Sequence, residues 1–255
     1  MATGMTDYRR RIYSKYASCF QDSKQTFDVT AANKWGKAYD SYLKGWLPSE
    51  KNANILEIAC GSGRLLYFLK TRGYANITGV DISPEQISLA KQVTQNVVQI
   101  NATEFLETKD KTYDLIIGLD IVEHFRKNEV LHYLDACFNA LKPNGRLILQ
   151  TCNADSPWGL MHRYNDFTHE LCFNPNSLRR LFRLVGFHNI ESRETGPVIH
   201  GFASALRYVI WQGIRIMLKI WNLAETGNSG SGVFTRIFLI SGLKPPTPLK
   251  EKDID

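Results

Sequence analysis

Short apolar runs alternate along the chain with segments in which apolar residues recur at helical spacing. The apolar runs predict seven strands, at residues 55–59, 77–80, 97–100, 113–119, 146–151, 187–193 and 236–240. Helical segments separate most of them, and one begins at Ser83-Pro84, where serine can cap a first turn that contains proline. Strands separated by helices indicate a mostly parallel sheet with helices on both faces, so the pattern predicts a three-layer α/β sandwich.

The segments outside this alternation complete the predicted organisation. Residues 1–50 are rich in tyrosine and predict an N-terminal helical cap, and residues 51–195 hold the α/β core. Residues 196–232 predict an amphipathic helical insertion before the last core strand, which lies within residues 233–244. Residues 245–255 are charged and proline-rich, and we expect a flexible tail.

Composition narrows the class of protein. The 255 residues are 44% hydrophobic and 22% charged, as is usual for soluble globular proteins. A net charge of +6 is too small to imply nucleic acid unless it is concentrated in one place. Five cysteines without a CxxC pair argue against a disulfide framework or a zinc site and favour a reducing cytoplasm. We recognise no secretory signal and no apolar stretch long enough to cross a bilayer.

A glycine turn follows the first predicted strand, in Glu57-Ile58-Ala59-Cys60-Gly61-Ser62-Gly63. Glycine has no Cβ, so such a turn lets the backbone approach a ligand closely. A dinucleotide-binding fingerprint would require a third glycine three positions after Gly63, where Leu66 stands instead. The turn therefore indicates a nucleotide-like ligand without identifying it.

Polar residues at the ends of the next three strands narrow the choice. Asp81 ends the second strand, where a carboxylate can accept hydrogen bonds from both ribose hydroxyls, and Ile82 can cover one face of adenine. Asn101 and Ala102 follow the third strand, where an amide side chain or a backbone N–H can bind the adenine edge. Asp120 closes the fourth strand. These positions share the crevice at the carboxyl ends of the strands.

Five segments in order, ILEIACGSG, GVDIS, INATEF, YDLIIGLDIVEHF and LKPNGRLILQT, resemble the cofactor motifs of class I S-adenosylmethionine-dependent methyltransferases. The resemblance covers about residues 50–190 and implies a Rossmann-like fold with S-adenosyl-L-methionine as cofactor. It implies that Glu57, Gly61 and Gly63 line the methionine moiety. It also implies that Asp81 binds the ribose, that Asn101 and Ala102 border the adenine, and that Asp120 faces the methionine half.

Two residues depart from the pattern of that family. Ala59 stands where the family usually has its first glycine, and Asn101 stands where aspartate is commoner. Alanine requires only a slightly wider approach of the ligand, and asparagine still offers a donor and an acceptor. We expect cofactor binding to survive both changes.

Methyl transfer to a hydroxyl requires alignment of the acceptor and removal of its proton, for which histidine is suited. His124 follows the fourth strand, near the expected position of the methyl group. His169 lies in residues 153–172, a stretch rich in polar and aromatic residues that favours a functional loop. Asp166 and Glu170 flank His169 and are placed to orient its ring.

Each candidate base has a structural alternative. His124 can belong to the cofactor side and bond only to backbone, and His169 can be a surface residue of the loop. His132 and His162 are interpreted as structural. We predict no metal site, because nothing in the spacing of acids and histidines requires one.

Residues 202–223 combine a broad apolar face with a basic stripe that recurs every four residues, at Arg207, Trp211, Arg215 and Lys219. A basic amphipathic helix with tryptophans is typical of membrane-surface binding, although its charges are too many for spanning. We expect peripheral contact with the inner face of a membrane. Packing on the core or at a homo-oligomer interface is the alternative.

The segment DFTHELCFNPNSLRRLFRLVGF, followed by an amphipathic insertion and AETG, resembles methyltransferases encoded among bacterial surface-polysaccharide enzymes. That resemblance implies O-methylation of a sugar hydroxyl on a bacterial glycan, either free or lipid-linked. A similar overall pattern in quinone-biosynthesis methyltransferases makes a phenol or another lipophilic small molecule the alternative acceptor. A catalytically idle, cofactor-binding scaffold is the non-enzymatic alternative. Nucleic-acid methylation is disfavoured, because LDIVEHF stands where amino methyltransferases have Asn/Asp-Pro-Pro-aromatic.

Overall fold

A single seven-stranded sheet organises the protein, as seen in a computed structural model that describes residues 7–20 and 26–246. The strand order is β3-β2-β1-β4-β5-β7-β6, and only β7 is antiparallel to its neighbours. The strands are β1 Ile55–Ile58, β2 Ile77–Asp81, β3 Val97–Gln99, β4 Tyr113–Leu119, β5 Leu141–Cys152, β6 His188–Glu194 and β7 Ile237–Leu243.

Helices cover both faces of this sheet. They are α1 Asp7–Tyr13, α2 Tyr16–Phe20, α3 Val29–Tyr42, α4 Arg64–Thr71, α5 Pro84–Ala90, α6 Ala102–Glu107, α7 Lys127–Ala140, α8 Gly159–Asn165, α9 Pro175–Val185 and α10 Phe202–Thr226. A short 3-10 turn, Val122–His124, follows β4. The predicted fold class, a mostly parallel Rossmann-like sandwich with a helical N-terminal segment, is confirmed.

The sheet separates two hydrophobic cores, because successive strand residues point to opposite faces. On β1 and β4, Leu56 and Ile116 pack with α7 and α9 on one side, whereas Ile55 and Leu115 pack with α4 and α5 on the other. All four side chains are at most 1% exposed. This burial on both faces explains the nearly continuous apolar runs of the parallel strands.

Local signals begin two of the helices where the sequence places them, and other element bounds shift. Ser83 caps α5, and Asn174 caps α9 in a reciprocal pair with Ser177. Strand β5 begins at Leu141, earlier than the predicted Arg146, because the residues directly after α7 already pair with β4. The loop over residues 153–172, predicted without periodicity, contains the short helix α8. Of the predicted tail, residues 247–255 lie outside the described part of the chain.

The insertion forms α10, a helix of 25 residues or about 37 Å. Its predicted basic stripe is divided between the protein and the solvent. Trp211 Nε1 donates to Glu194 Oε2 at 3.2 Å, and Arg215 pairs with the same carboxylate at 2.9 Å, so these residues fasten α10 to β6. Arg207 and Lys219 remain exposed beside them.

The surface that α10 turns away from the protein is apolar. We call it the outer face of α10, and each of its members is more than half exposed: Phe202, Leu206, Val209, Ile210, Ile216, Met217, Ile220, Trp221 and Leu223. Packing on the core is thus limited to the opposite side of the helix. Within the described residues, no helix is both long and apolar enough to span a membrane.

Candidate active site

The candidate cofactor crevice lies at the carboxyl ends of β1, β2 and β4. Strand β1 stands between β2 and β4, and the strand order reverses there. In open α/β sheets, this reversal separates the connecting helices and leaves a crevice for a ligand. The predicted cofactor residues therefore gather at one edge of the sheet.

The glycine turn adopts a backbone conformation that L side chains rarely take. Ala59, Gly61 and Gly63 have φ angles of +54°, +52° and +88°. This left-handed region suits glycine, whereas for alanine it costs about 1 kcal/mol. Alanine in place of the family's usual glycine at position 59 therefore strains the backbone, in addition to keeping the ligand slightly farther away, as the sequence suggests.

Leu66 stands where a dinucleotide-binding fingerprint has its third glycine, and a glycine in the next strand makes room for it. Leu66 is fully buried on α4, and a Cβ added to Gly79 on β2 would lie 2.7 Å from Leu66 Cδ1. The absence of a side chain at Gly79 makes room for the large side chain at Leu66. The close approach of helix and sheet is thus achieved without the dinucleotide pattern.

Asp81 fastens the glycine turn and still has capacity for a ligand. Its Oδ2 accepts from the Gly61 N–H at 2.9 Å, and its Oδ1 accepts from the Ser83 N–H at 2.8 Å. Burial raises the pKa of Asp81, while these hydrogen bonds lower it. Each carboxylate oxygen retains acceptor capacity, which fits the two hydroxyls of a ribose.

Glu57 is buried on β1, and its Oε2 has no hydrogen-bond partner within the described residues. Burial, with the nearby charge of Asp81, raises the pKa of Glu57 well above its ordinary value. A buried carboxyl oxygen without a donor is unfavourable in a protein alone. The ammonium group of a methionine moiety would supply such a donor, so the residue fits the predicted cofactor.

Asn101 has a structural task besides its predicted ligand contact. Its Oδ1 caps α6 by accepting from the N–H groups of Thr103 at 2.9 Å and Glu104 at 3.4 Å. An aspartate would cap the helix equally well, but only asparagine keeps an amino group that can donate to adenine. Ala102 begins α6, and Ile82 is half-buried beside the crevice.

Asp120 also has a left-handed backbone, with φ of +55°. Gln150 on β5, which the sequence analysis missed, donates from Nε2 to both carboxylate oxygens at 3.0 Å. The carboxylate is accessible from the crevice, but the surrounding walls remove it from bulk water and raise its pKa. Beyond Asp120 lies the side of the crevice where the methyl acceptor is expected, which we call the acceptor side. The next side chains there are imidazoles.

Three histidines form a cluster on that side. The rings of His124 and His169 meet edge to face with 4.7 Å between centroids, and His162 on α8 lies 6.3 Å from His169. His162 was interpreted as structural, and the structure places it in the cluster. His132, by contrast, is exposed on α7 and pairs with Glu107 at 2.7 Å.

A chain of hydrogen bonds orients His124. Thr168 Oγ1 lies 2.6 Å from Asp166 Oδ1 and 2.9 Å from His124 Nδ1. The ionised carboxylate can only accept, so the single hydroxyl proton goes to Asp166 and the hydroxyl oxygen accepts from His124 Nδ1–H. This assignment leaves the other ring nitrogen, Nε2, as the basic atom.

Hydrogen bonds and burial set the pKa values of Asp166 and His124, the two ends of this chain of hydrogen bonds. Burial would raise the pKa of Asp166, but hydrogen bonds from Thr168 and from Tyr16, at 2.5 Å, hold it below its ordinary value. Burial lowers the pKa of His124 to about 4. Asp166 is therefore charged and His124 neutral near pH 7.

The expected orientation of His169 by its two acidic neighbours is not seen. Asp166 bonds to Thr168 and serves His124, and Glu170 turns toward Tyr8, Arg9 and Arg126. His169 Nδ1 is buried without a hydrogen-bond partner within the described residues, and burial lowers the pKa of this histidine. Glu170 is thus placed to hold α1 and does not orient His169.

Helices α1 and α2 of the predicted helical cap cover the acceptor side, a position that sequence reasoning did not assign to them. Arg9 donates to the His124 carbonyl at 2.7 Å and pairs with Glu129 at 3.0 Å. Tyr13 contributes a hydroxyl 3.4 Å from His124 Nδ1. At the cofactor side, Ser18 binds Glu85 of α5 through its N–H and hydroxyl. The abundance of tyrosine and arginine near the N-terminus was the available signal.

Comparison with known proteins agrees with this geometry. Residues 31–192 match the family described as "Methyltransferase domain". The ubiquinone biosynthesis O-methyltransferase of Cereibacter sphaeroides is 32% identical over 120 residues, 45% of this chain and 47% of that protein. The mitochondrial enzyme of the same name from Schizosaccharomyces pombe is 27% identical over 205 residues, 75% of this chain and 69% of that protein. The chain thus spans about half the length of the first of these relatives.

Solved structures share the fold. A SAM-dependent methyltransferase from Archaeoglobus fulgidus has a TM-score of 0.63 at 21% identity, over 91% of this chain and 99% of that chain. The 1,6-didemethyltoxoflavin-N1-methyltransferase of Burkholderia thailandensis, solved with S-adenosylhomocysteine, has a TM-score of 0.55 at 17% identity, over 96% and 93%. Since the family match covers more than half of the residues and the crevice fits the cofactor, the chain belongs to the class I S-adenosylmethionine-dependent methyltransferases.

Proposed function

We propose that the protein is an O-methyltransferase that acts on a hydroxyl of a lipophilic acceptor, with a phenolic hydroxyl favoured over a sugar hydroxyl. The observation that carries the proposal is the chain Asp166–Thr168–His124 on the acceptor side of the crevice. It supplies a neutral imidazole with an assigned tautomer, which is what proton removal from a hydroxyl requires.

S-adenosylmethionine, when bound, supplies an electrophilic methyl group attached to a sulfonium sulfur. Glu57 and Asp81 would hold the methionine and ribose moieties of the cofactor, and His124 Nε2 would accept the hydroxyl proton as the acceptor oxygen is methylated. Asp166 stabilises the resulting imidazolium through Thr168. His169, edge-on at 4.7 Å, completes the wall and is the second candidate base.

The weak basicity of the imidazoles favours a phenol. Burial lowers the pKa of His124 to about 4 and lowers that of His169. A weak base removes a proton more readily from a phenol, with a pKa of about 10, than from a less acidic sugar hydroxyl. A stronger base would be required for an unactivated sugar.

The acceptor rim is also apolar. Five large side chains around α8 are each at least half exposed: Trp158, Leu160, Met161, Tyr164 and Phe167. A concentration of exposed apolar groups beside titratable residues is typical of a site for a lipophilic ligand. The curated relatives named above act in ubiquinone biosynthesis, which is consistent with this acceptor class.

A sugar hydroxyl on a lipid-linked glycan is the second candidate, supported by the resemblance of residues 166–187 to surface-polysaccharide methyltransferases. A mass-spectrometric screen separates the candidates when phenolic, glycan and lipid-linked glycan acceptors are offered with S-adenosylmethionine. Methylation of phenols supports the proposal, and methylation of glycans alone replaces it. Cofactor binding without product from any acceptor would instead identify an idle scaffold.

Variants in the histidine cluster test which ring is the base. If His124 is the base, His124→Gln abolishes turnover while cofactor affinity is unchanged, and His169→Ala retains part of the activity. If turnover is lost only in His169→Ala, the assignment moves to His169. A strong dependence on His169 would favour the glycan acceptor.

We further propose that the outer face of α10 binds the surface of an anionic membrane. Its nine apolar side chains include Trp221, and exposed Arg207 and Lys219 flank it. Apolar groups can enter the headgroup region while the flanking cations contact anionic lipid. Trp211 and Arg215 on the opposite side of the helix are occupied by their contacts with Glu194, which leaves the apolar side for a partner.

Vesicle flotation with and without anionic lipid tests this contact. Ile210→Glu with Met217→Glu should weaken vesicle binding at least about tenfold, because two apolar side chains no longer enter the bilayer. The matched control is Leu131→Glu with Leu184→Glu, two exposed apolar positions on α7 and α9. A monomer–dimer shift in the α10 variant without any vesicle binding by the wild type would instead identify a homo-oligomer interface.

A further inference from the structure

We propose that Cys152 and Cys172 form a reversible disulfide that closes the loop between them, in which Asp166, Thr168 and His169 lie. The proposal concerns a modification site and does not depend on which acceptor is methylated. It also differs from the expectation of unpaired cysteines that the odd count and the spacing suggest.

The backbone places these cysteines side by side. Cys152 ends β5, and the next residue, Asn153, forms a parallel bridge with Phe173, the residue after Cys172. The Ala154 N–H donates to the Phe173 carbonyl at 2.7 Å, which holds the two segments together. Opposed residues on adjacent extended segments have Cα atoms about 5 Å apart, within the range that a disulfide requires.

The side chains agree with this register. Cys152 Sγ lies 3.6 Å from the carbonyl oxygen of Leu171, the residue directly before Cys172. The two thiols are close enough that each shifts the pKa of the other. Little movement of the backbone is therefore required to join the sulfurs.

The two thiols differ in access and in proton affinity. Cys172 is partly exposed, and its contact with Cys152 lowers its pKa, with a smaller contribution from Arg163. Arg163 is held nearby by a hydrogen bond of 2.8 Å from Nη2 to the Glu170 carbonyl. Cys152 is fully buried, and its pKa is raised by its contact with Cys172 and by burial. Cys172 is thus the attacking thiolate and Cys152 the resolving thiol.

A disulfide oxidant such as glutathione disulfide completes the chemistry. The Cys172 thiolate attacks one sulfur of the oxidant, forms a mixed disulfide and releases one glutathione thiolate. The Cys152 thiol then loses its proton to that thiolate and attacks the Cys172 sulfur, and a second glutathione leaves. Two protein thiols are oxidised, and one glutathione disulfide is reduced to two glutathione molecules.

The closed ring has a consequence for the acceptor side. When the loop opens locally, Cys172 must move away from β5, and the bridge between Asn153 and Phe173 must break. The disulfide forbids that separation and limits the conformations available to the loop. Amide hydrogens of residues 159–171 should then exchange more slowly in the oxidised protein.

Redox titration of the full chain with glutathione buffers, followed by acid quench, alkylation and peptide mass spectrometry, tests the proposal. The expected product is the 152–172 cross-link with loss of two hydrogens, with at least about tenfold slower exchange in residues 159–171. The chain contains internal controls: exposed Cys19 should form only the mixed disulfide, and buried Cys60 and Cys137 should stay reduced. Cys172→Ser should lose both the cross-link and the slowing while it keeps cofactor affinity.

Three results would overturn the proposal. One is a lasting mixed disulfide at Cys172 with Cys152 still reduced, and another is alkylation of both thiols at every redox potential. The third is a cross-link that leaves hydrogen exchange in the loop unchanged. Cys152→Ala, which removes only the buried partner, checks the first result independently, because Cys172 should then stop at the mixed disulfide.

Discussion

Replacing Thr168 with valine removes one hydroxyl from the chain that orients His124 and preserves the shape of the side chain. Thr168 is fully buried, and its Oγ1 bridges Asp166 at 2.6 Å and His124 at 2.9 Å. Without it, the only remaining partner of the His124 Nδ1–H among the described residues is the distant Tyr13 hydroxyl, at 3.4 Å. A buried donor that loses its acceptor costs about 1–3 kcal/mol, which favours the wrong tautomer.

Loss of a positioned general base reduces a rate by about 10²–10⁴, so we expect Thr168→Val to lower kcat at least about 100-fold. Cofactor affinity should be unchanged, because the hydrogen bonds of Thr168 within the described residues go to Asp166 and His124 and not to the glycine turn. Thr168→Ser is the matched control, since it keeps the hydroxyl, and it should retain activity within about threefold.

The assay combines initial rates with the acceptor found by the screen and calorimetric titration of S-adenosylmethionine. A Thr168→Val protein with wild-type kcat would refute the hydrogen-bond chain as the device that prepares the base. Equal losses of kcat in the valine and serine variants would assign the effect to packing.

Three further predictions follow from the same geometry. Asp81→Asn should weaken S-adenosylmethionine binding about 30-fold or more in calorimetry, because the amide places a donor against the Gly61 or Ser83 N–H and removes a charged ribose acceptor. Unchanged affinity would exclude Asp81 from the site. Ala59→Gly should raise Tm by about 1–3 °C, because relief of the strained φ exceeds the entropy that glycine adds to the unfolded chain; a lower Tm would contradict the strain. The pKa of His124 is lowered from 6.5 to about 4, so the unfolded chain takes up a proton at a higher pH than the folded protein does. The free energy of unfolding measured in urea should therefore be highest above pH 6.5 and fall by up to about 3 kcal/mol as pH falls toward 4. His124→Gln should remove this part of the pH dependence.

The fold and the cofactor crevice could be predicted because local sequence determines them. Strand β4 has the predicted bounds, since an apolar run between turn residues leaves little choice of register. Asp81, Asn101 and Asp120 lie at strand ends, and parallel strands bring such ends to one edge. The strained φ angles at Ala59 and Asp120 and the contact of Gln150 with Asp120 required coordinates, because neither a φ angle nor a contact between distant residues is visible in a residue name.

The acceptor side could be predicted only in part. His124 and His169, which the sequence singled out, lie together, and their role as a base stays a prediction. Adjacency in sequence suggested that Asp166 orients His169, but its carboxylate accepts from Thr168, which contacts His124. Tyr13 and Tyr16 reach the site from more than 100 residues away in sequence, and no local pattern encodes such a contact. The outward orientation of α10 depends on a tertiary contact with Glu194, which helical periodicity does not reveal.

The proposed function is tested most directly by following a deuterated methyl group from S-adenosylmethionine into a phenol that carries an apolar tail. We expect the label on the phenolic oxygen, with product from the wild type and almost none from Asp81→Asn or His124→Gln. Label on a sugar oxygen, on nitrogen or on no acceptor while the wild-type protein binds the cofactor would contradict the proposed function.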